Sequence, residues 1–329
     1  MQLTTINSDI TNPFSEERMK IYYTFVYNYA SKNTRAAYIN DLKKFLFFLE
    51  KRFKGLSENQ VEMAHIVSFK NYLLELKDKS NKKIGDKSIN RILACLYSFY
   101  EHLISLKLVN ANPVEKVKRF KVLKEGKTLD LSNEEVDKLI NSPNQNQLSG
   151  LLHKAILVLF FTTGMRHREL TELKVSNLEL NEGLLCLRYL AKGRKEMLTP
   201  LNELARNALG QYFEICQKLG INHAEDEYIF KPSKNPKGFK NKPLDSKSLY
   251  YIIKKYSKIA GIEKNITIHS ARSTVIGDLL SQGISIDRVA EFVGHSDIRT
   301  TQQYNKRARK LENSLSFNLD ISSENNMDN

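Results

Sequence analysis

The stretch "HSARSTVIGDLLSQGISIDRVAEFVGHSDIRTTQQY", residues 269–304, gathers two histidines, three arginines and a closing tyrosine along a run of short helical patterns. Three readings compete for it. The first is a helix-turn-helix, with Gly294 in the turn between "SIDRVAEFV" and a polar second helix. The second is a metal site built on the histidines. The third is the chemical centre of an enzyme whose nucleophile is Tyr304. A metal fits poorly, because the arginines would repel a cation and no cysteine or carboxylate cluster stands nearby. His269 and Arg272 are three apart and share a helical face, and an exposed His–Arg pair is a poor way to build a core. Gly294 ends one helix and leaves His295 in the turn. The last helix has too few apolar positions for Tyr304 to read as plain core, although a tyrosine at a packing seam is the bland alternative.

What decides among these readings lies upstream. In "TTGMRHREL" (162–170), Gly164 can stop an apolar helix and Arg166 follows it, with Glu169 three residues on, where its carboxylate can hold the guanidinium. Taken alone, that is a surface ion pair. In "AKGRKE" (191–196), Lys192 falls at the tip of a hairpin, where it is either a mobile functional group or the ordinary dressing of a turn. A DNA-reading helix predicts nothing about Arg166 or Lys192. As an ordered set, though, two arginines, a lysine, two histidines and a late tyrosine match what a tyrosine needs to cleave a phosphodiester. Two guanidinium forks can clamp the non-bridging oxygens. A tyrosine with a reference pKa near 10 needs a base or a cationic site to lose its proton. The leaving deoxyribose oxygen needs a proton, which the lysine can deliver. Fixed cations do the work of a metal, so neither a metal nor another cofactor is expected.

Composition agrees. The 329 residues carry 51 Lys and Arg against 37 Asp and Glu, a formal charge of +14, which points to a polyanionic partner. Residues 1–124 hold 22 basic against 12 acidic side chains and 125–309 hold 28 against 21, so both halves are basic, while the tail from Lys310 is slightly acidic. Cys95, Cys186 and Cys216 have no paired spacing and read as reduced packing residues. No secretory signal stands at the start, and "AILVLFFTTGM" is too short to cross a bilayer. A cytoplasmic, nucleoid-associated protein with no membrane partner is the expectation.

The pattern is mainly α. Helical spacing runs over 13–30 and 34–52, with Asn33 or Thr34 as cap and Tyr38, Leu42, Phe45, Leu46 and Leu49 on one apolar face. "VSFKNYLLELKDK" reads as a third helix. "KSINRILACLYSFYEHLISLKLV" reads as a fourth, with Ile89, Ile92, Leu96, Phe99, Tyr100 and Leu103 inward and "NANP" (110–113) breaking it. These make an N-terminal helical DNA-binding domain over 13–118, followed by a basic linker over 119–131 lying along a phosphate backbone. Ser132 and Glu135 in capping-box spacing open a second domain over 132–310. "LELNEGLLCLRYLAKGRKEMLTPL" supplies its small antiparallel β-sheet, with turns at Asn181–Gly183 and Ala191–Arg194. Residues 311–329 form a polar tail.

The wording "TGMRHREL", "AKGRKE", "HSAR" and "VGHSDIRTTQQY", in this order, resembles the tyrosine recombinases of the phage-integrase and Xer type. "SKNTRAAYINDLKKFLFFLE" and "SINRILACLYSFYEHLISLKLVNANPVEKVK" resemble that family's SAM-like core-binding domain, so the resemblance covers about residues 20–308. It implies that Arg166 and Arg272 bind the scissile phosphate and that Lys192 is the general acid. It further implies that His269 exchanges protons with the nucleophile, that His295 hydrogen-bonds the phosphate, that Tyr304 forms a 3′-phosphotyrosyl link and that Glu169 supports the first arginine. Thr34, Arg35, Tyr38, Arg91 and Lys121 are the expected DNA contacts of the N-terminal half. The implied partners are double-stranded DNA bearing specific recombination sites, a homotetramer or a heterotetramer with a related recombinase, and accessory proteins. Strands would be exchanged in pairs through a Holliday junction, the tail docking on a neighbouring protomer. One departure is Ser273, where many relatives have histidine. The short stretch before the first helix leaves no room for an arm-binding domain. A type IB topoisomerase, which cleaves without exchange, is the nearest enzymatic alternative, and a non-enzymatic helix-turn-helix regulator is the alternative from another class.

Overall fold

Among the residues that the computed structural model describes (16–77, 81–122, 130–232 and 241–304), four α-helices build the first of two units into which the chain divides, Met1–Lys124. They are α1 (Glu16–Tyr27), α2 (Lys32–Arg52), α3 (Met63–Glu75) and α4 (Asp86–Ser105). The cap of α2 is Ser31 rather than Asn33 or Thr34: Ser31 has extended backbone and its hydroxyl accepts from the Thr34 amide, which leaves the two expected caps inside the first turn. All six expected inward positions of α4 are buried, together with Leu93 and Cys95. On α2, Leu42, Phe45 and Leu49 are buried as the spacing predicts, Phe48 and Asp41 join them, and Tyr38 and Leu46 are half-buried. Each fully buried side chain of this kind contributes about 1.5–3 kcal/mol. Helix α4 stops at Ser105, ahead of "NANP", and Lys107 takes a left-handed turn with φ +58°. "NANP" is instead a strap: the Asn112 side chain donates to the Tyr97 carbonyl and Glu101 and accepts from the Val114 amide.

The expected linker is anchored at both of its described ends. Asn90 holds the Phe120 carbonyl and amide at 2.9 and 3.0 Å, and Lys70 lies 4.3 Å over the Phe120 ring. Leu131 is buried in the core of the second unit. Residues 123–129 lie outside the described set.

The second unit, Glu125–Asn329, opens with α5 (Asn133–Asn141), where Ser132 and Glu135 form the predicted capping box. Its central helix α6 (Leu148–Thr163) is apolar on nearly every face, as a helix surrounded by others must be. After the short α7 (His167–Thr171) come β1 (Leu178–Asn181), β2 (Leu184–Leu190) and β3 (Glu196–Pro200), an antiparallel sheet in the order β1-β2-β3. Helices α8 (Glu203–Lys218), α9 (Ser246–Ile259), α10 (Ile268–Ser281), α11 (Ile286–Phe292) and α12 (Ile298–Gln302) complete it. Cys95, Cys186 and Cys216 are free and buried. Among the described residues, no helix is long and apolar enough to cross a membrane.

Candidate active site

Two helix C-termini meet at the site, and each ends on a left-handed glycine. Gly164 follows α6 at φ +60°, and a Cβ there would come within 3.2 Å of Val275 and 3.3 Å of Val293. Gly294 follows α11 at φ +65°, and a Cβ there would come within 3.3 Å of the Met197 sulfur. Both turns therefore favour glycine for their left-handed backbone, and the neighbouring side chains would have to shift slightly to admit a Cβ. Carbonyls at helix C-termini lack intrahelical partners and carry partial negative charge. Here the two arginines satisfy them crosswise. Arg272, buried on α10, donates to the Gly164 carbonyl at 2.6 Å and the Val293 carbonyl at 2.5 Å. Arg166, at the cap of α7, donates to the Gly294 carbonyl at 3.1 Å.

Glu169 ties a second set of groups together. Its carboxylate accepts from the Arg166 amide at 2.7 Å, from the Arg166 guanidinium at 2.8 Å and from the Lys192 amide at 3.3 Å. The Arg166–Glu169 pair is thus a capping arrangement inside the site, not a surface ion pair. Lys192 lies exposed in the β2–β3 turn as expected and meets the cluster through its backbone.

His295 sits half-buried just past Gly294, its Nδ1 2.8 Å from the hydroxyl of Thr301, a fully buried side chain. Burial, then the charges of Arg272 and Arg166, push the His295 imidazole down to about 4, so it is neutral at neutral pH. Burial first and Arg166 second pull Arg272 down to about 10, which still leaves it charged. The Tyr304 ring lies nearly parallel to His295 with centroids 6.5 Å apart, and Tyr304 is among the groups acting on the Arg272 charge. Tyr304 also packs against the cluster of Ile276, Leu280, Val289 and Val293. It is not carried on the helix, as the sequence suggests: α12 ends at Gln302 and Tyr304 follows in a turn whose amide bonds the Thr301 carbonyl.

His269 is exposed at the start of α10 whereas Arg272 is buried, so the exposed His–Arg pair read from the spacing is divided between surface and interior. The His269 ring stands edge-on to His167 at 6.4 Å, and His167 is lowered by burial and then by His269. The helix-turn-helix reading fails on α12, which spans five residues and buries Thr301. Among the described residues no group of three or more His, Cys, Asp or Glu side chains is placed to hold a metal ion.

Several members escaped the sequence. Thr301 looked like any threonine of a polar helix. Tyr189, raised mainly by burial and hydrogen-bonded to Thr199, also feels the charges of Glu169, Arg272 and Arg166. Ser273, the one departure noted from the pattern, donates to Asp130, and the Leu131 amide donates to Thr274 at 3.0 Å, so the end of the linker is pinned to α10 beside Arg272. In the N-terminal unit, Arg91 forks onto the fully buried Asp41. Arg35 donates to the Tyr29 carbonyl at 2.6 Å and lies over the Tyr27 ring. Tyr38 packs half-buried against Phe25 and Tyr29, Thr34 is half-buried, and Lys121 is exposed.

A helical unit followed by a mostly helical unit that braces two arginines beside a tyrosine defines a class, and comparison with known proteins places it. Residues 130–310 match the Phage integrase family and residues 23–107 match the Phage integrase N-terminal SAM-like domain, so the chain belongs to the phage integrase family of tyrosine recombinases. Among its members it is Xer-like, a site-specific DNA recombinase. It is 30% identical over 279 residues to Tyrosine recombinase XerD of Shewanella oneidensis, covering 85% of this chain and 87% of that one. It is 33% identical over 275 residues to Tyrosine recombinase XerC of Leptospira interrogans, covering 83% of each. The fold is similar to XerH bound to its difH substrate (TM-score 0.63, 16% identity, 91% of this chain and 90% of that one). It is also similar to a lambda integrase tetramer bound to a Holliday junction (TM-score 0.63, 17% identity, 90% and 78%).

Proposed function

We propose that this recombinase cleaves and rejoins strands of double-stranded DNA at specific sites through a 3′-phosphotyrosyl intermediate. One observation carries the reading: Arg166 and Arg272 are braced by backbone carbonyls at the C-terminal ends of α6 and α11, with Tyr304 and a neutral His295 beside them. Carbonyl partners orient a guanidinium without cancelling its charge, which leaves Arg272 able to hold the non-bridging oxygens; Arg166, held by Glu169 as well as by the Gly294 carbonyl, keeps part of its fork for the same oxygens. The Tyr304 oxygen attacks phosphorus, and its proton passes to His269. The bond from phosphorus to the 5′-oxygen breaks, and that oxygen takes a proton from the Lys192 ammonium, leaving a neutral amine. His295, neutral and held by Thr301, hydrogen-bonds the phosphate. The ester energy is kept in the Tyr304–phosphate bond, so a 5′-hydroxyl from another strand reverses the step without a nucleotide cofactor. Side-chain cations take the place of a metal.

Strand exchange needs two cleaved duplexes held together, so the working assembly is a tetramer on a Holliday junction, either of this chain alone or mixed with a related recombinase, with accessory proteins deciding when it acts. Its place of action is the cytoplasm, on the nucleoid. Thr34, Arg35, Tyr38 and Lys121 supply DNA contacts of the N-terminal unit, and Arg91, committed to Asp41, contributes less. The tail beyond 310 would dock on a neighbouring protomer, and it lies outside the described residues.

The test uses a nicked duplex that traps the covalent product, bearing the sequence recovered by mapping protein–DNA adducts in cells. Tyr304→Phe should keep DNA affinity and form no SDS-resistant adduct. An adduct that persists in this variant removes Tyr304 from the role.

A further inference from the structure

The hairpin that presents Lys192 is bridged by one arginine on its outward face. Arg188 sits in the middle of β2, opposite Leu198 of β3. Its Nε and Nη2 fork onto Glu179 of β1, each at 2.7 Å, and its Nη1 reaches Glu196 of β3 at 2.8 Å. Glu179 stands opposite Cys186, and Glu196 stands opposite Leu190. Side chains alternate along a strand, so both carboxylates share the face of Arg188. The Arg188 carbonyl is itself held by the Asn177 side chain at 2.8 Å. All three guanidinium nitrogens are thus bonded to carboxylates on the two flanking strands.

That arrangement is unsuited to DNA contact. The trio carries a net negative charge, and an approaching phosphate would meet two carboxylates around a cation already engaged. Nor is stability a sufficient account, because exposed ion pairs add little. What a bidentate fork does well is fix orientation, and what lies next along these strands is the turn. Leu190 and Glu196 form the last strand pair. Beyond them Ala191 bonds the Lys195 carbonyl at 2.8 Å, and Arg194 bonds the Ala191 carbonyl at 3.0 Å, closing the loop around Lys192. The Lys192 amide is in turn tied to Glu169 at 3.3 Å. The hairpin is held at its tip by Glu169 and across its strands by Arg188.

We infer that Arg188 is a positioning residue for Lys192: through Glu179 and Glu196 it locks the three strands so that the ammonium meets the leaving 5′-oxygen. The inference rests on the reading of Lys192 as the general acid. Breaking the bridge leaves the lysine and its charge in place but spreads its positions, so proton delivery slows while phosphate binding by Arg166 and Arg272 is untouched.

The experiment separates proton delivery from everything else. The full chain is given the nicked duplex described above in two forms, one with the natural scissile phosphate and one with sulfur in place of the 5′-bridging oxygen. A thiol has a pKa of about 8.5, so the thiolate departs without protonation and the general acid becomes dispensable. Lys192→Ala should slow cleavage of the oxygen ester on the order of 100-fold, the range of a lost general acid, and recover on the sulfur ester. Arg188→Ala and Glu196→Gln should slow the oxygen ester about tenfold, as a displaced catalytic group does, and come within about twofold of the unaltered protein on the sulfur ester. Equal slowing on both esters, or no slowing on the oxygen ester, overturns the inference. If Lys192→Ala itself fails to recover with sulfur, the assignment of Lys192 falls and the inference falls with it, a result the Arg188 variant cannot produce. Glu196→Gln, a change at an exposed carboxylate, keeps the test open should Arg188→Ala not fold.

Discussion

Arg91 and Arg272 are both charged side chains reaching into protein interior, and their partners differ. In the N-terminal unit, Arg91 forks onto Asp41, a carboxylate with no exposure. In the catalytic unit, Arg272 is itself buried and donates to the carbonyls of Gly164 and Val293. A carboxylate consumes the charge of its partner, whereas a carbonyl fixes geometry and leaves most of the field in place. Arg188 follows the first pattern, with two carboxylates. Arg166 combines both, with Glu169 on one side and the Gly294 carbonyl on the other. Burying a cation on neutral acceptors costs free energy in the unliganded protein, which is why burial pulls Arg272 down to about 10. An anion that enters the site relieves that cost. The contrast therefore separates arginines neutralised by carboxylates from arginines that keep their charge, as the proposed phosphate binding requires.

The sharpest way to break the comparison is to replace Arg272. Arg272→Ala should lower covalent-adduct formation on the order of 10²–10³-fold, the cost of removing one preorganised donor from a developing anion. Arg272→Lys should recover little of this, because one ammonium cannot span two carbonyls and a phosphate as the planar fork does. Full activity in the lysine variant would show that charge alone matters and that the carbonyl brace is incidental. Next in size is Arg91→Ala. If Arg91 is spent on Asp41, its loss strands a buried carboxylate and lowers unfolding stability by about 1–3 kcal/mol, measured by urea denaturation. Adding Asp41→Asn should restore part of it. The salt dependence of DNA binding should hardly change, whereas a true phosphate contact would reduce its slope by about 1. A flattened slope with unchanged stability would return Arg91 to the DNA face.

How much of this was legible depended on whether a local pattern or a distant contact set the outcome. The inward face of α4 followed from helical spacing, and the hairpin turns followed from the residues at Asn181–Gly183 and Ala191–Arg194. Arg166, Glu169, Arg272 and His295 could be singled out because glycine, arginine and histidine were written at fixed local offsets. What the sequence withheld were partners set by tertiary contact. Nothing at Gly164 announces that its carbonyl will hold an arginine 108 residues away. Nothing at Asp41 announces its pairing with Arg91. Ser31, Asn33 and Thr34 are all good caps by residue type, and only backbone geometry selects Ser31 for α2. "DIRTTQQY" has no proline or glycine to stop a helix before Tyr304, yet α12 ends at Gln302.

The smallest expected effect turns on His295, whose protonation is depressed first by burial and then by the charges of Arg272 and Arg166. An unfolded histidine takes up its proton near pH 6.5, whereas the folded imidazole does so at about 4. Between those values the unfolded chain binds the extra proton, so the stability of the DNA-free protein rises with pH across this window and is level above it. His153, also held at about 4, mainly by burial, adds a parallel slope of its own. Carboxylates lowered by hydrogen bonds, such as Glu135 and Asp245, act in the same direction but lose their contribution only below about pH 4.5. The interval from about pH 5 to 6.5 therefore belongs to the histidines. His295→Gln keeps a hydrogen-bonding side chain beside Thr301 and should flatten the melting temperature over that interval relative to the unaltered protein, leaving the portion due to His153 and to His102, His167 and His223, which burial also lowers. Arg272→Ala, which removes the larger of the two cationic contributions at His295, should shrink the slope without abolishing it. Identical slopes in all three proteins would mean that the imidazole does not sense the arginines, and that the carbonyl-held charge is screened before it reaches the place where a phosphate would sit.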